Sequence, residues 1–284
     1  MDDDGLRYAY GTNGLGDHRL DDALVWLAEL GYAGVALTLD HHHLDPFAPD
    51  VGARTAAIAR RLDELGLGVV VETGARFLLD PRRKHAPTLL DDDPAPRLEL
   101  LRRACDIAAD LGAPVVHLWA GVKPPSLDEA TAWSRLVAGV ADTLEHAERR
   151  DVVLGFEPEP GMLIETLAGF EALAAALDHH PRLGVTVDIG HCQVNEDASI
   201  PDCLRRVADR LVHVQIEDMR RGVHDHLFFG EGEIDFPPVL ATLHEIGYDG
   251  LVSVELTRHS HTAHTVVPRA LDFLRTNEHQ AVIR

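Results

Sequence analysis

Four polar residues each close a short apolar run in the second half of the chain. Glu157 follows VVLGF, Asp188 follows LGVTV, Gln215 follows LVHV and Glu255 follows LVSV. Three carboxylates and one amide offer three negative charges and four oxygen donors. A hard or borderline divalent cation takes such a set, with imidazole also tolerated by Mn²⁺, Co²⁺ or Zn²⁺. The runs are four or five residues long, apolar and β-branched, with helix-like segments between them. They therefore read as successive parallel strands buried on both faces. If so, the four residues stand at equivalent carboxyl ends and converge on one ion at the mouth of a barrel.

The first half of the chain supplies the rest of such a barrel. RYAYG reads as a first strand, and Leu20 to Leu30 as a helix stopped by Gly31. GVALTL is a second strand, and Ala53 to Leu65 a helix ended by Gly66. LGVVVE is a third, followed by a loop from Thr73 to Pro96 that is long enough to imply a function. Leu98 to Leu111 is helical, and PVVHLW is a fourth strand. Ser126 to Arg149 is a long helix whose Ser126 and Glu129 form a candidate capping box. Helices near 166–178, 201–209, 236–246 and 264–276 complete eight β-α units. The expected fold is α/β, a single (β/α)8 TIM barrel over residues 1–284, with a doubly wound open sheet as the alternative. Neither a G-x-G-x-x-G after the first strand nor a Walker A lysine motif occurs, so nucleotide-binding folds lose support.

In a TIM barrel the chemistry comes from strand carboxyl ends and the loops after them. Here nearly every end is polar. Thr12 and Asn13 close the first strand, Asp40 to His43 the second, Glu72 the third, and His117 and Trp119 the fourth. Glu157 and Glu159 follow the fifth, Asp188 and His191 the sixth, Gln215, Glu217 and Asp218 the seventh, and Glu255 and Arg258 the eighth. Strand parity puts His213, Gln215 and Glu217 on one face, with His213 a layer deeper. The run His41-His42-His43 either lines the pocket or forms a hydrogen-bonded loop.

Composition narrows the partners. The net charge is −21, from 47 acidic and 26 basic residues, which disfavours nucleic acid. The runs Asp2-Asp3-Asp4 and Asp91-Asp92-Asp93 read as solvated segments. No apolar stretch approaches the ~20 residues of a membrane span, and the N-terminus lacks the pattern of a secretory signal. Cys105, Cys192 and Cys203 are unclustered, which fits a reducing cytoplasm. A homodimer is compatible with the acidic surface.

The chain resembles the xylose-isomerase-like TIM barrels, the sugar phosphate isomerase/epimerase group that also includes inosose dehydratases and apurinic endonucleases. FEPEPG resembles the fifth-strand glutamate motif, with Glu157 in the ligand position. VDIGH matches D-x-x-H through Asp188 and His191. HVQIED matches the seventh-strand segment except that Gln215 replaces a ligand histidine, as in hydroxypyruvate-isomerase-like members. HDHLFFGEGEIDF resembles H-x-x-x-G-x-G-x-I-[DN] with His226 as its histidine, and VSVEL carries the eighth-strand glutamate, Glu255. The motifs are specific for the superfamily and poor guides to substrate.

The resemblance implies one divalent metal (Mn²⁺, Co²⁺, Mg²⁺ or Zn²⁺) held by Glu157, Asp188, Gln215 and Glu255, with Glu157 and Glu255 as the acid–base pair. The partner would be a small polyhydroxy carbonyl compound. It also implies that His191, His224 and His226 hold a second metal or contact substrate. Glu72, His117, Glu159 and Arg258 are expected around the substrate. The expected reaction is isomerisation or epimerisation of a sugar or keto-sugar through an enediolate. An inosose-dehydratase-like lyase shares the first proton abstraction. A phosphodiesterase or apurinic endonuclease would need more histidines and a basic groove, against which both the charge and Gln215 count.

Overall fold

The computed structural model describes residues 5–283 and, for 282 and 283, the backbone only. The acidic run Asp2-Asp3-Asp4 lies outside the described residues. In chain order the elements are β1 (Arg7–Gly11), α1 (Leu20–Leu30), β2 (Gly34–Thr38), α2 (Val51–Leu65), β3 (Gly68–Glu72), α3 (Ala95–Leu111), β4 (Val115–Trp119) and α4 (Glu129–Arg149). There follow β5 (Val153–Glu157), α5 (Leu167–Ala176), β6 (Leu183–Asp188), α6 (Ile189–Asn195), α7 (Ile200–Arg206) and β7 (Leu211–Ile216). The chain closes with β8 (Asp218–Arg220), β9 (Val223–Leu227), α8 (Phe236–Glu245), β10 (Leu251–Val254) and α9 (Ala263–Ile283). β1 to β7 and β10 pair in parallel and close on themselves through β10–β1, so the fold is the TIM barrel and not the open sheet.

The strands read as apolar because they are covered twice, by barrel interior on one side and by helices on the other. Every residue of β2, β4, β6 and β10 is buried. Gly31, Gly66 and Gly112 end α1, α2 and α3 in left-handed conformations, as the stop signals predict. The expected capping box is absent. α4 starts at Glu129, where Asp128 accepts a hydrogen bond from the Thr131 amide, and Ser126 lies outside. Its aspartate sits next to the first helical residue and wins the orphan N–H. Two elements had no sequence signal, the short α6 and the β8–β9 hairpin.

Register brings the strand ends level. Glu72 pairs with His117, Trp119 with Glu157, Asp188 with Gln215, and Gln215 with Ser253. The loop after β2 is held by Asp40, which accepts hydrogen bonds from the His42 and His43 amides. His43 is buried and directed at the His18 carbonyl, so this triplet is loop structure away from the cavity.

Candidate active site

A cavity of about 550 Å³ opens over the carboxyl end of the barrel. Glu72, His117, Glu157, Glu159, His191, Gln215, His224, His226, Glu255 and Arg258 all line it. Asp188 is buried behind His191.

The D-x-x-H spacing has a mechanical origin. Asp188 ends β6 and is also the N-cap of α6, where its Oδ1 accepts the His191 amide at 3.0 Å. This cap fixes the imidazole three residues on, with His191 Nε2 3.5 Å from Asp188 Oδ2. The same Oδ2 is buried without a hydrogen-bond partner.

Glu157 is held at both oxygens. His117 donates from Nε2 to Oε2 at 2.5 Å, and His191 Nδ1 lies 3.2 Å from Oε1. Burial would raise the Glu157 carboxyl, but the two imidazoles reverse this and hold it well below the usual carboxylate range. Burial likewise opposes the charge on His117 and His191, and the facing carboxylates overcome it and raise both.

Glu255 lies in a different field. Asn13 donates to Oε1 at 2.9 Å and Gln215 to Oε2 at 2.8 Å. Burial nevertheless pushes its carboxyl well above the ordinary value, aided by the charges of Glu72 and Glu157. Gln215 also donates to Glu72 at 3.1 Å, which leaves its Oε1 buried and unpaired. Glu72 is raised by burial and accepts from the Thr38 hydroxyl at 2.9 Å. Glu159 is pushed up to about 7 by burial and by the charge of Glu157.

The three loop histidines come together. His191 and His224 face each other through their Nε2 atoms at 3.1 Å, and the His224 and His226 ring centres are 5.2 Å apart. Burial and the neighbouring His191 lower His224 to about 4, so it can accept from a protonated His191. Asp218 explains the glycine-rich motif that follows. It accepts from the amides of Gly230, Gly232 and Ile234 at 2.8, 2.9 and 3.1 Å. A Cβ on Gly232 would overlap the Asp218 carboxylate. This tie holds β9, and with it His224 and His226, against the cavity.

The donor chemistry fits a divalent cation. Asp188 Oδ2 and Gln215 Oε1 are buried oxygens without partners, which costs free energy unless something supplies positive charge. Donor atoms lie within 4.8 Å of one another in three groups: Glu157, Asp188 and His191; Asp188, Glu217, His226 and Glu255; and His191, His224 and His226. Asp188 joins the first two. Glu157 and Glu255 fall in different groups, so the four expected ligands surround Asp188 but are not gathered at one point.

Sequence reasoning noted Asn13 and Glu217 as strand ends without giving them a role. Glu217 carried a signal in its parity with Gln215. Arg76 and Lys84 also line the cavity, and nothing marked them, because the loop after β3 has no period to read. That loop is built around a buried cation. Arg97 donates to the carbonyls of Thr73, His85 and Pro87 at 2.9, 2.8 and 3.0 Å and lies 4.7 Å over Trp119. Arg76 reaches the Asn13 carbonyl at 2.8 Å, and Arg258 pairs with Asp225.

The chain is 31% identical over 170 residues to an uncharacterized protein of Methanocaldococcus jannaschii, spanning 56% of each chain. It is 29% identical over 241 residues to the L-ribulose-5-phosphate 3-epimerase UlaE of Salmonella paratyphi C, covering 81% of this chain and 82% of that one. Among solved structures it is similar to a D-allulose 3-epimerase from Methylomonas sp., with TM-score 0.74, 19% identity and coverage of 96% and 97%. A structure of L-ribulose 3-epimerase gives TM-score 0.75, 20% identity and coverage of 97% and 95%. Residues 24–277 match the family described as xylose isomerase-like TIM barrel, and the chain belongs to that family.

Proposed function

We propose that this protein is a divalent-metal-dependent epimerase of a keto-sugar. The observation that carries the reading is the pair Glu157 and Glu255, facing one cavity from β5 and β10 with Asp188 and Gln215 on the two strands between them. Inverting a carbon next to a ketone needs a base on one face and an acid on the other. Glu157 is kept ionised by two imidazoles, and Glu255 is kept protonated by burial. Environments that push two carboxyls apart in this way assign base and acid. In one direction Glu157 removes the proton and Glu255 delivers its own to the opposite face. After that passage their protonation states are exchanged, so the pair serves both epimers.

Glu157, Asp188, Gln215 and Glu255 would hold the cation, which when bound supplies Lewis-acid stabilisation to a developing enediolate. His191 donates a hydrogen bond to a substrate oxygen at the cavity wall. Glu72, His117 and Glu159 position Glu157 or meet substrate hydroxyls. The UlaE relatives favour epimerisation over the dehydratase chemistry that the same first step would also serve. At the mouth, Arg76, Lys84 and Arg258 stand out in a chain of charge −21 and suit an anionic end on the substrate, such as a phosphate.

A panel of pentuloses and hexuloses, free and phosphorylated, incubated with Mn²⁺-loaded protein tests this reading. The expected products are C3 epimers, identified by NMR, with lower KM for the phosphorylated members. Release of an ultraviolet-absorbing enone or dione would establish the lyase reading instead.

A further inference from the structure

Glu217 is not explained by the scheme above. Its side chain is fully buried, and neither carboxylate oxygen has a hydrogen-bond partner. It does not line the cavity, so a substrate contact does not account for it. The chain has nevertheless made room for it: a Cβ on Gly190, in the turn between Asp188 and His191, would overlap Glu217 Oε1. An uncompensated buried carboxylate costs several kcal/mol, on the order of the cost of breaking a buried ion pair.

Its surroundings supply cation donors and no cation. Glu217 Oε2 lies 3.7 Å from His226 Nδ1, another buried atom without a partner. Both belong to a group with Asp188 and Glu255 whose donor atoms all lie within 4.8 Å. Donors that share one ion at about 2.1 Å stand roughly 3.0–3.4 Å apart, so a small closure of these groups makes a ligand shell.

We propose that Glu217 and His226 hold a second divalent cation beside the first, with Asp188 shared between them. Asp188 suits the shared position because Oδ1 is fixed by the α6 cap while Oδ2 is free. Two ions sharing one carboxylate would also balance Glu217 against Asp188, which otherwise face each other as like charges in the interior. The proposal rests on the first cation site being real, and the test separates the two.

The full chain, stripped with EDTA and reloaded with Mn²⁺ alone, is assayed for bound metal by elemental analysis and for coupling between ions by electron paramagnetic resonance. Two Mn²⁺ per chain with a spin-coupled spectrum are expected. Glu217→Gln keeps the shape that packs on Gly190, and it should bind one Mn²⁺ with a mononuclear spectrum. His226→Ala should do the same, and circular dichroism checks that both are folded. A single mononuclear Mn²⁺ in the unaltered protein overturns the second site and leaves the first. Two ions retained in Glu217→Gln overturn the role of Glu217. No bound Mn²⁺ at all overturns this proposal and the metal-dependent function together.

Discussion

At the residue scale the account turns on two carboxyls of the same type in opposite electrostatic surroundings. Glu157 sits between His117 and His191, whereas Glu255 meets only the amide donors of Asn13 and Gln215. Glu157→Gln and Glu255→Gln should each lower kcat by about 10²–10⁴ while the circular dichroism spectrum is unchanged. Turnover above a tenth of the original in either would remove that residue from the acid–base pair. His213 makes a separate prediction about stability. It is buried below Gln215 with Nε2 2.8 Å from the Ser253 hydroxyl, and burial lowers it to about 3. Between that value and the ordinary value near ~6.5 the unfolded chain binds a proton that the folded chain does not. His213 therefore subtracts stability as pH falls through this window. Urea titrations of His213→Gln should show a shallower loss from about pH 6.5 toward pH 3 than the original chain. Strand parity and motif spacing made these residues legible, because alternation along a strand is enough to say which side chains share a face.

At the element scale the D-x-x-H and G-x-G-x-I patterns have local causes: an N-cap at Asp188 and a ring of amides around Asp218. Such causes are written in consecutive residues, which is why the sequence carried them. The loop after β3 is different. Its shape depends on Arg97, which is brought from α3 to three carbonyls distant in sequence, and no local pattern announces that. Replacing Arg97 by Leu leaves those carbonyls without their donor, at about 1–3 kcal/mol each. Limited proteolysis of Arg97→Leu should cut between residues 76 and 90 faster than in the original chain. KM should rise more than kcat falls, because Arg76 and Lys84 are carried by that loop. An unchanged cleavage rate would mean that the loop is held by something other than Arg97. The β8–β9 hairpin escaped prediction for a related reason: three- and five-residue strands bearing histidines have no apolar alternation to detect.

At the scale of the whole molecule, eight parallel strands in register turn a list of separated polar residues into one wall of a cavity. The closed barrel was legible because both faces of each strand are covered, so the runs are continuously apolar. What the sequence could not give was distance. It placed Glu157, Asp188, Gln215 and Glu255 around one point, and the structure instead arranges donors on two sides of Asp188, with Glu217 among them. The acidic surface and the basic residues at the mouth belong to the same scale: the net charge of −21 disfavours polyanions, while Arg76, Lys84 and Arg258 leave a local opening for a small anionic sugar. The central claim, proton transfer at the carbon beside a ketone, is most directly tested by solvent exchange. Mn²⁺-loaded protein and the ketose panel are incubated in D₂O and followed by NMR. The account predicts one deuterium at C3 of both epimers, lost in Glu157→Gln and in Glu255→Gln. Absence of deuterium from every ketose turned over, or full exchange in both variants, would contradict it.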